Sequence, residues 1–213
     1  LYEDTLCDQQ DRASMLFTDG SGFAGHIGAS MVSLQQGVSS QRRYLGTDSQ
    51  STVYAAELSG IEMALAKAKK EQAREVIIFS DSQAAIQAVQ NPKRPSGQYI
   101  LTRIYDHIRA IRSRNQVQQE PTIVTIRWIP AHVGVSGNEY ADTEAKGAAL
   151  LGAGIGTTTG SGDPGKPTIR LAAAAKRAVR QRVRERWERE TTSAPTKRLV
   201  QAPNKKTLRL YEG

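Results

Sequence analysis

Three strand-like runs joined only by turns precede a region where helix and strand alternate, and that switch limits the chain to a mixed α/β sheet. The first run, Met15-Leu16-Phe17, leads into Thr18-Asp19-Gly20-Ser21-Gly22 and reads as a short buried strand ending in Asp and Gly. His26 to Leu34 and Val38 to Leu45 follow, set apart by glycine-containing turns, so an antiparallel meander is expected. From Thr52 to Lys70 the period becomes helical: Ala55, Leu58, Ile61, Leu65 and Ala68 recur three or four residues apart. Lys67, Lys69 and Lys70 crowd its end, where cations complement the helix dipole. Glu75 to Ser80 is a continuous apolar strand ended by Asp81. Ser82 to Gln90 is a short helix stopped by Asn91-Pro92, and Gly97 to Arg114 is another helix. Thr122 to Trp128 is a β-branched strand ended by Pro130, and Gly137 to Leu150 a last helix. Meander strands pair antiparallel, whereas strands joined by helical crossovers are parallel. The predicted fold is α/β: a five-stranded mixed sheet, three antiparallel strands then two parallel, flanked by helices.

The 213 residues suit one domain plus an appendage. Leu151 to Pro167 is rich in Gly, Thr and Ser and reads as a flexible linker, and Arg170 to Arg189 as an Ala- and Arg-rich helix. The expected division is a linker at 1–13, a domain at 14–150, a linker at 151–167 and a basic helical tail at 168–213. The formal charge is +8, and residues 168–213 hold 13 Lys/Arg against 4 Asp/Glu, so the rest is almost neutral. Such a tail attracts phosphate backbones without reading sequence; a merely solvated helix face stands as the equal alternative. No apolar run approaches the length of a membrane span, and no basic-then-apolar signal opens the chain, so an intracellular, non-secreted protein is expected. One cysteine, Cys7, excludes an internal disulfide and a cysteine-rich zinc site. The chain begins at Leu1 rather than Met, so a piece of a longer polypeptide is expected.

Three carboxylates occupy telling places. Asp19 and Asp81 each sit where a buried strand runs out, and Glu57 lies on or beside the apolar stripe of the first helix. Sites in open α/β sheets gather at strand ends. If the two strands are neighbours, the aspartates come within one strand spacing, and the helix above can aim Glu57 at the same point. Acids that close repel and do not all ionise without a cation. Hard oxygen ligands favour Mg²⁺ or Mn²⁺ over Zn²⁺, and a pair of such ions can clamp both oxygens of a phosphodiester displacement. Read singly, each acid is a solvated strand-end residue, and Asp81-Ser82 is a helix cap. That reading does not account for Glu57, because an unpaired acid on an apolar stripe is costly to bury.

The stretch from Ile126 to Asp142 adds a loop of Pro and Gly carrying His132, then a helix that projects Glu139 and Asp142 one turn apart on one face. Imidazole is the side chain suited to moving protons near neutral pH. Trp128 is expected in the core at a strand end, and His26 and His107 are expected to be structural or solvated.

Phe-Thr-Asp-Gly-Ser at 17–21, Ala-Ala-Glu-Leu at 55–58, Ser-Asp-Ser-Gln at 80–83, and Trp-Ile-Pro-Ala-His to Asn-Glu-Tyr-Ala-Asp at 128–142 stand in order on the expected elements. Over roughly residues 14–150 the chain resembles the ribonuclease H family, and most of all the ribonuclease H domain of non-LTR retrotransposon reverse transcriptase polyproteins, notably fungal ones. The resemblance implies two Mg²⁺ ions (Mn²⁺ substituting), with Asp19 bridging both and Glu57 and Asp81 completing the leaving-group side. It implies that Asp142 holds the ion that activates water and that His132 shuttles protons or assists product release. Gly20, Ser21 and Gln83 match positions that touch the backbone or minor groove of an RNA–DNA hybrid. Val53 and Tyr54 depart from members with two Asn there, and the short Asn91–Gln98 segment lacks a basic protrusion.

The expected function is endonucleolytic cleavage of the RNA strand of RNA–DNA hybrids, with a reverse transcriptase domain in the same polyprotein and further nucleic acid on the basic tail as partners. Two rivals keep the fold: a catalytically silent nucleic-acid-binding module, against which all four acids and His132 speak, and another metal nuclease cutting DNA, disfavoured by the Ser-Asp-Ser-Gln and Asn-Glu-x-x-Asp contexts.

Overall fold

The computed structural model describes residues 13–34, 37–71, 74–92, 97–115, 122–154 and 171–191. The linker expected at 1–13 (Ala13 apart), most of the linker at 151–167, the tail beyond 191 and residues 93–96 of the short Asn91–Gln98 segment lie outside them. The strands are β1 (Ser14–Phe23), β2 (His26–Ser33), β3 (Ser39–Thr47), β4 (Glu75–Ser80) and β5 (Ile123–Trp128). The helices are α1 (Val53–Glu71), α2 (Gln83–Gln90), α3 (Gln98–Asn115), α4 (Ser136–Gly152) and α5 (Ala172–Thr191). One sheet runs β3-β2-β1-β4-β5, antiparallel across β3-β2-β1 and parallel across β1-β4-β5. This is the expected mixed sheet.

Alternation along β1 splits the core in two. Leu16 faces a cluster with Leu58, Ile61 and Leu65 of α1 and Ile100, Leu101 and Ile104 of α3. Met15 and Phe17 face the opposite cluster, with Ile77, Phe79, Ile129, Val135 and Ala141 of α4. The sheet is therefore covered on both sides, as parallel strands require.

β1 does not run out at Asp19, as its sequence suggests. Its parallel partner β4 ends at Ser80, opposite Thr18, but β2 keeps pairing with it as far as Phe23 opposite His26. Asp19 is a strand-end residue towards β4 and a mid-strand residue towards β2.

The edge strand β3 is polar because its arginines serve as ties. Arg42 and Arg43 are successive residues and so leave opposite faces. Arg42 donates to both oxygens of Glu144 on α4, at 2.7 and 2.5 Å. Arg43 pairs with the buried Glu62 of α1 and donates to Ser59 Oγ at 2.9 Å. A charged edge also resists pairing with another sheet. The start of α5 belongs to the α1 side of the core. Leu171 and Ala174 are buried there, and the Leu171 backbone N–H donates to the Gln50 carbonyl at 2.8 Å.

Candidate active site

Asp19 and Asp81 meet because β1 and β4 are adjacent and parallel: Thr18 pairs with Ser80, so the next residue on each strand is the acid. Phe17 and Phe79 stack with centroids 4.9 Å apart on the α4 side. Two residues on, Asp19 and Asp81 leave the sheet on that same side. Glu57 comes from the other side. The backbone of α1 lies directly on Gly20, where a Cβ would stand 2.3 Å from the Glu57 nitrogen and 2.7 Å from the Ala56 carbonyl carbon. One turn along α1, a Cβ on Gly60 would stand 2.9 Å from the Ser30 carbonyl oxygen. This close seating, beside the end of β4, lets three carboxylates from two faces converge. Asp19, Glu57 and Asp81 each offer an oxygen within 4.8 Å of the others.

Two of the trio are buried, Asp81 is half-buried, and the three repel one another. Asp19 is 7% exposed and Glu57 8%. Burial, then the charges of Asp81 and Asp142, raise the Asp19 carboxyl to about 7. Burial, then Asp19 and Asp81, raise Glu57 to about 9. The Gly20 backbone opposes both shifts but does not offset them. Glu57 Oε2 is buried with no hydrogen-bond partner, an acceptor that a protein interior ordinarily satisfies.

Asp81 is held by two residues that are not among the expected site residues. Asn138 Nδ2 donates to Asp81 Oδ2 at 3.2 Å, and the Trp128 indole N–H donates to the Asp81 carbonyl at 3.0 Å. Trp128 is not core as expected. It is 42% exposed, because it ends the edge strand β5 and its N–H needs an acceptor at the site. Asn138 carries a legible signal: it lies on the buried stripe of α4 with Ala141 and Ala145, where a polar group needs a partner. The cap of α2 is Ser82, whose Oγ accepts from the Ala85 N–H at 3.3 Å, and that leaves the Asp81 carboxylate for the site.

The other expected residues form a second group. His132, Glu139 and Asp142 each bring one ligand atom within 4.8 Å of the others. His132 is exposed and holds a left-handed backbone, φ +54°, uncommon outside glycine. Asp142 lies outside the first trio, although its charge reaches Asp19. Its Oδ2 is held at 2.5 Å by Lys146 one turn on, a cation that sequence reasoning misses. Gly20 is buried beneath α1, Ser21 is half-buried two residues past Asp19, and Gln83 is exposed at the first turn of α2. His26 bonds to Tyr44 Oη at 2.7 Å, and His107 lies 3.5 Å from Glu62, both away from the acids.

Residues 11–150 match the sequence pattern of a family described as RNase H. Comparison with curated proteins gives no match. Among solved structures, the fold is similar to a foamy viral protease-reverse transcriptase in complex with an RNA/DNA hybrid. The TM-score is 0.53 and the identity 20%, over 67% of this chain and 20% of that one. The chain thus spans about a fifth of that protein's length. It is also similar to the N-terminal RNase H domain of a Mycobacterium tuberculosis protein, with a TM-score of 0.50 and 22% identity over 67% and 97% of the two chains. Because the family's pattern runs through both strands and both helices that carry the acids, from residue 11 to residue 150, the chain belongs to the ribonuclease H family.

Proposed function

We propose that residues 14–150 are a metal-dependent endoribonuclease that cuts the RNA strand of RNA–DNA hybrids. The observation that carries this is the convergence of three mostly buried acids on one point, with a Glu57 oxygen left unpaired. Such a donor set fits a hard divalent cation, Mg²⁺ or Mn²⁺, which would relieve the repulsion that raises Asp19 and Glu57. Asp19, Glu57 and Asp81 would hold one ion, and Asp19 with Asp142 a second. When bound, the ions supply Lewis-acid stabilisation of charge on the reacting phosphodiester.

The chain's own residues do the rest. Asn138 and Trp128 fix Asp81, so that its orientation does not depend on the ion. His132, exposed beside Asp142, takes or returns a proton at its ring nitrogen. Ser21 and Gln83 flank the aspartates and suit contact with the nucleic acid, and a wide minor groove lined with 2′-hydroxyls is what marks an RNA strand. We assign the source as a retroelement polyprotein, of the non-LTR and fungal kind, acting inside the cell beside a reverse transcriptase. The four motifs support this, and a protease-reverse transcriptase is among the structurally similar proteins. No helix among the described residues is long and apolar enough to cross a membrane.

The test compares cleavage of hybrid, duplex RNA and duplex DNA, each with Mg²⁺ and with EDTA. Cleavage of the hybrid's RNA strand in Mg²⁺ alone is expected. Binding without cleavage of any substrate would make the chain a silent nucleic-acid-binding module, and cleavage of duplex DNA would make it a different nuclease. His132→Ala is expected to slow turnover by up to about 10²–10⁴-fold, with hybrid affinity nearly unchanged. A large loss of affinity at an unchanged single-turnover rate would reassign His132 to substrate binding.

A further inference from the structure

The basic helix is not a free tail, and where it is fixed says what it is for. The turn at 47–52 joins β3 to α1 and sits at the acid-bearing end of the sheet. The Asp48 N–H donates at 2.8 Å to the carbonyl of Gly25, at the tip of the β1–β2 hairpin beyond Asp19. Thr52 Oγ1 accepts from the Ala55 N–H at 3.2 Å in the first turn of α1, the helix that carries Glu57. The start of α5 is fastened to that same turn. Leu171 donates its N–H to Gln50, Arg177 donates to the Asp48 and Ser51 carbonyls, and Leu171 and Ala174 are buried.

Beyond Ala178, every described side chain of α5 is exposed or half-buried. From there the helix continues to Thr191, about 20 Å at 1.5 Å per residue. That length matches about six phosphates along one strand of a duplex. Lys176, Arg180 and Arg184 follow at i, i+4 and i+8, so they form one row along the helix. Helical geometry turns that row away from the Leu171–Ala174–Ala178 face. A low-propensity, non-periodic tail would not hold such a row in line, whereas an anchored helix does.

We propose that α5 is a fixed phosphate-binding arm that lies along the backbone of the hybrid held at the acid cluster. This rests on the hybrid as substrate. Outside residues 168–213 the chain carries 16 Lys/Arg against 17 Asp/Glu, so the positive excess that a polyanion meets belongs to that segment. The arm confers affinity and orientation but reads no sequence.

The experiment uses the full chain carrying Asp19→Asn, so that substrate is not consumed. Affinity for a hybrid longer than the arm is measured against salt with and without K176Q/R180Q/R184Q. Glutamine keeps helix propensity, and an unchanged melting temperature guards against unfolding. Three lost phosphate contacts lower the log–log salt slope by about 2.7, so between about 50 and 200 mM salt the parent loses about 40-fold more affinity than the variant. The charge-keeping K176R/R180K/R184K retains the parent slope. Equal slopes for the parent and the glutamine variant overturn the arm and leave its basic row for a protein partner. Cleavage by the unmutated chain is measured separately. If it cuts hybrids but the slopes match, only the arm fails; if the slopes differ but nothing cuts hybrids, only the nuclease reading fails.

Discussion

Asp19→Asn is expected to reduce hybrid cleavage in Mg²⁺ at least about 100-fold, on the scale of losing one electrostatic stabiliser from an active site, while the protein stays folded. Asp19 is the residue on which the rest of the site turns. It sits in the central strand, between Asp81 just beyond β4 and the field of Asp142 on α4. Asparagine keeps its shape but removes the charge a cation needs. A variant that retains more than a few per cent of the parent rate would sink the assignment.

The same substitution carries a stability signature. In the folded protein without metal, the Asp19 carboxyl is raised from 3.8 to about 7, chiefly by burial and then by Asp81 and Asp142. The folded state therefore binds more protons than the unfolded state between these values, and stability falls as pH rises through that window. Asparagine escapes this loss. With EDTA present, the variant's melting temperature should match the parent's near pH 4 and exceed it above pH 7. Adding Mg²⁺ should stabilise the parent by mass action and leave the variant nearly unmoved. The reverse order in EDTA at pH 8 would mean that Asp19 is already paired in the folded protein and that no cation is needed there.

Much of this fold is legible in the sequence because the chain's signals agree across levels. The change of period from two to 3.6 at Thr52, the apolar run Val76–Phe79 and the β-branched run Ile123–Ile126 fix element types by period and residue type. Strand direction then follows from the connections. The end of β1 is misplaced at Asp19 because Gly20 and Gly22 look like a turn in sequence. In the structure Gly20 is where α1 presses on the sheet, and tertiary packing overrides local propensity. Trp128 misleads for a related reason. Nothing local says that β5 is an edge strand, so a tryptophan at its end looks buried.

The acids are legible because each is costly where it stands: Asp19 and Asp81 each follow directly on an apolar strand run, and Glu57 interrupts an apolar stripe. Their supports are harder to read: Asn138 shows as a polar residue on a buried stripe, but nothing local names its partner. Asn138 and Trp128 act on Asp81 from 57 and 47 residues away, a separation no local pattern spans. Lys146 looks like one more surface cation on α4. Its role exists only because Asp142 lies one turn before it and turns towards Asp19. The basic helix is legible as charge, but its anchor is hidden. Leu171 and Ala174 carry no periodic signal strong enough to place them in the core of a domain from which a Gly-, Thr- and Ser-rich stretch separates them.

Gly20→Ala is expected to do more damage than any other single methyl group at the site. The resemblance to the family assigns this glycine to contact with the hybrid; the packing assigns it to the seat of α1. The added Cβ would stand 2.3 Å from the Glu57 nitrogen and 2.9 Å from the Ala56 Cβ, and the nearest atoms are backbone, which does not swing aside. Alanine does reduce the freedom of the unfolded chain, a gain of about 0.4–1 kcal/mol. Overpacking of this kind costs about 1–3 kcal/mol or more, so the net effect is a lower melting temperature. If α1 relieves the clash by lifting, Glu57 moves away from Asp19 and Asp81, and a shift of about 1 Å is worth about 100-fold in rate. The loss therefore falls on kcat and on metal affinity, with the KM for hybrid changing little. Gly147→Ala is the control, because the nearest atoms its Cβ would meet are the end of the flexible Arg42 side chain, at 3.2 Å, and alanine favours a helix interior. An unchanged melting temperature with a raised KM and a normal kcat would return Gly20 to the substrate surface and leave the reach of Glu57 to some other contact.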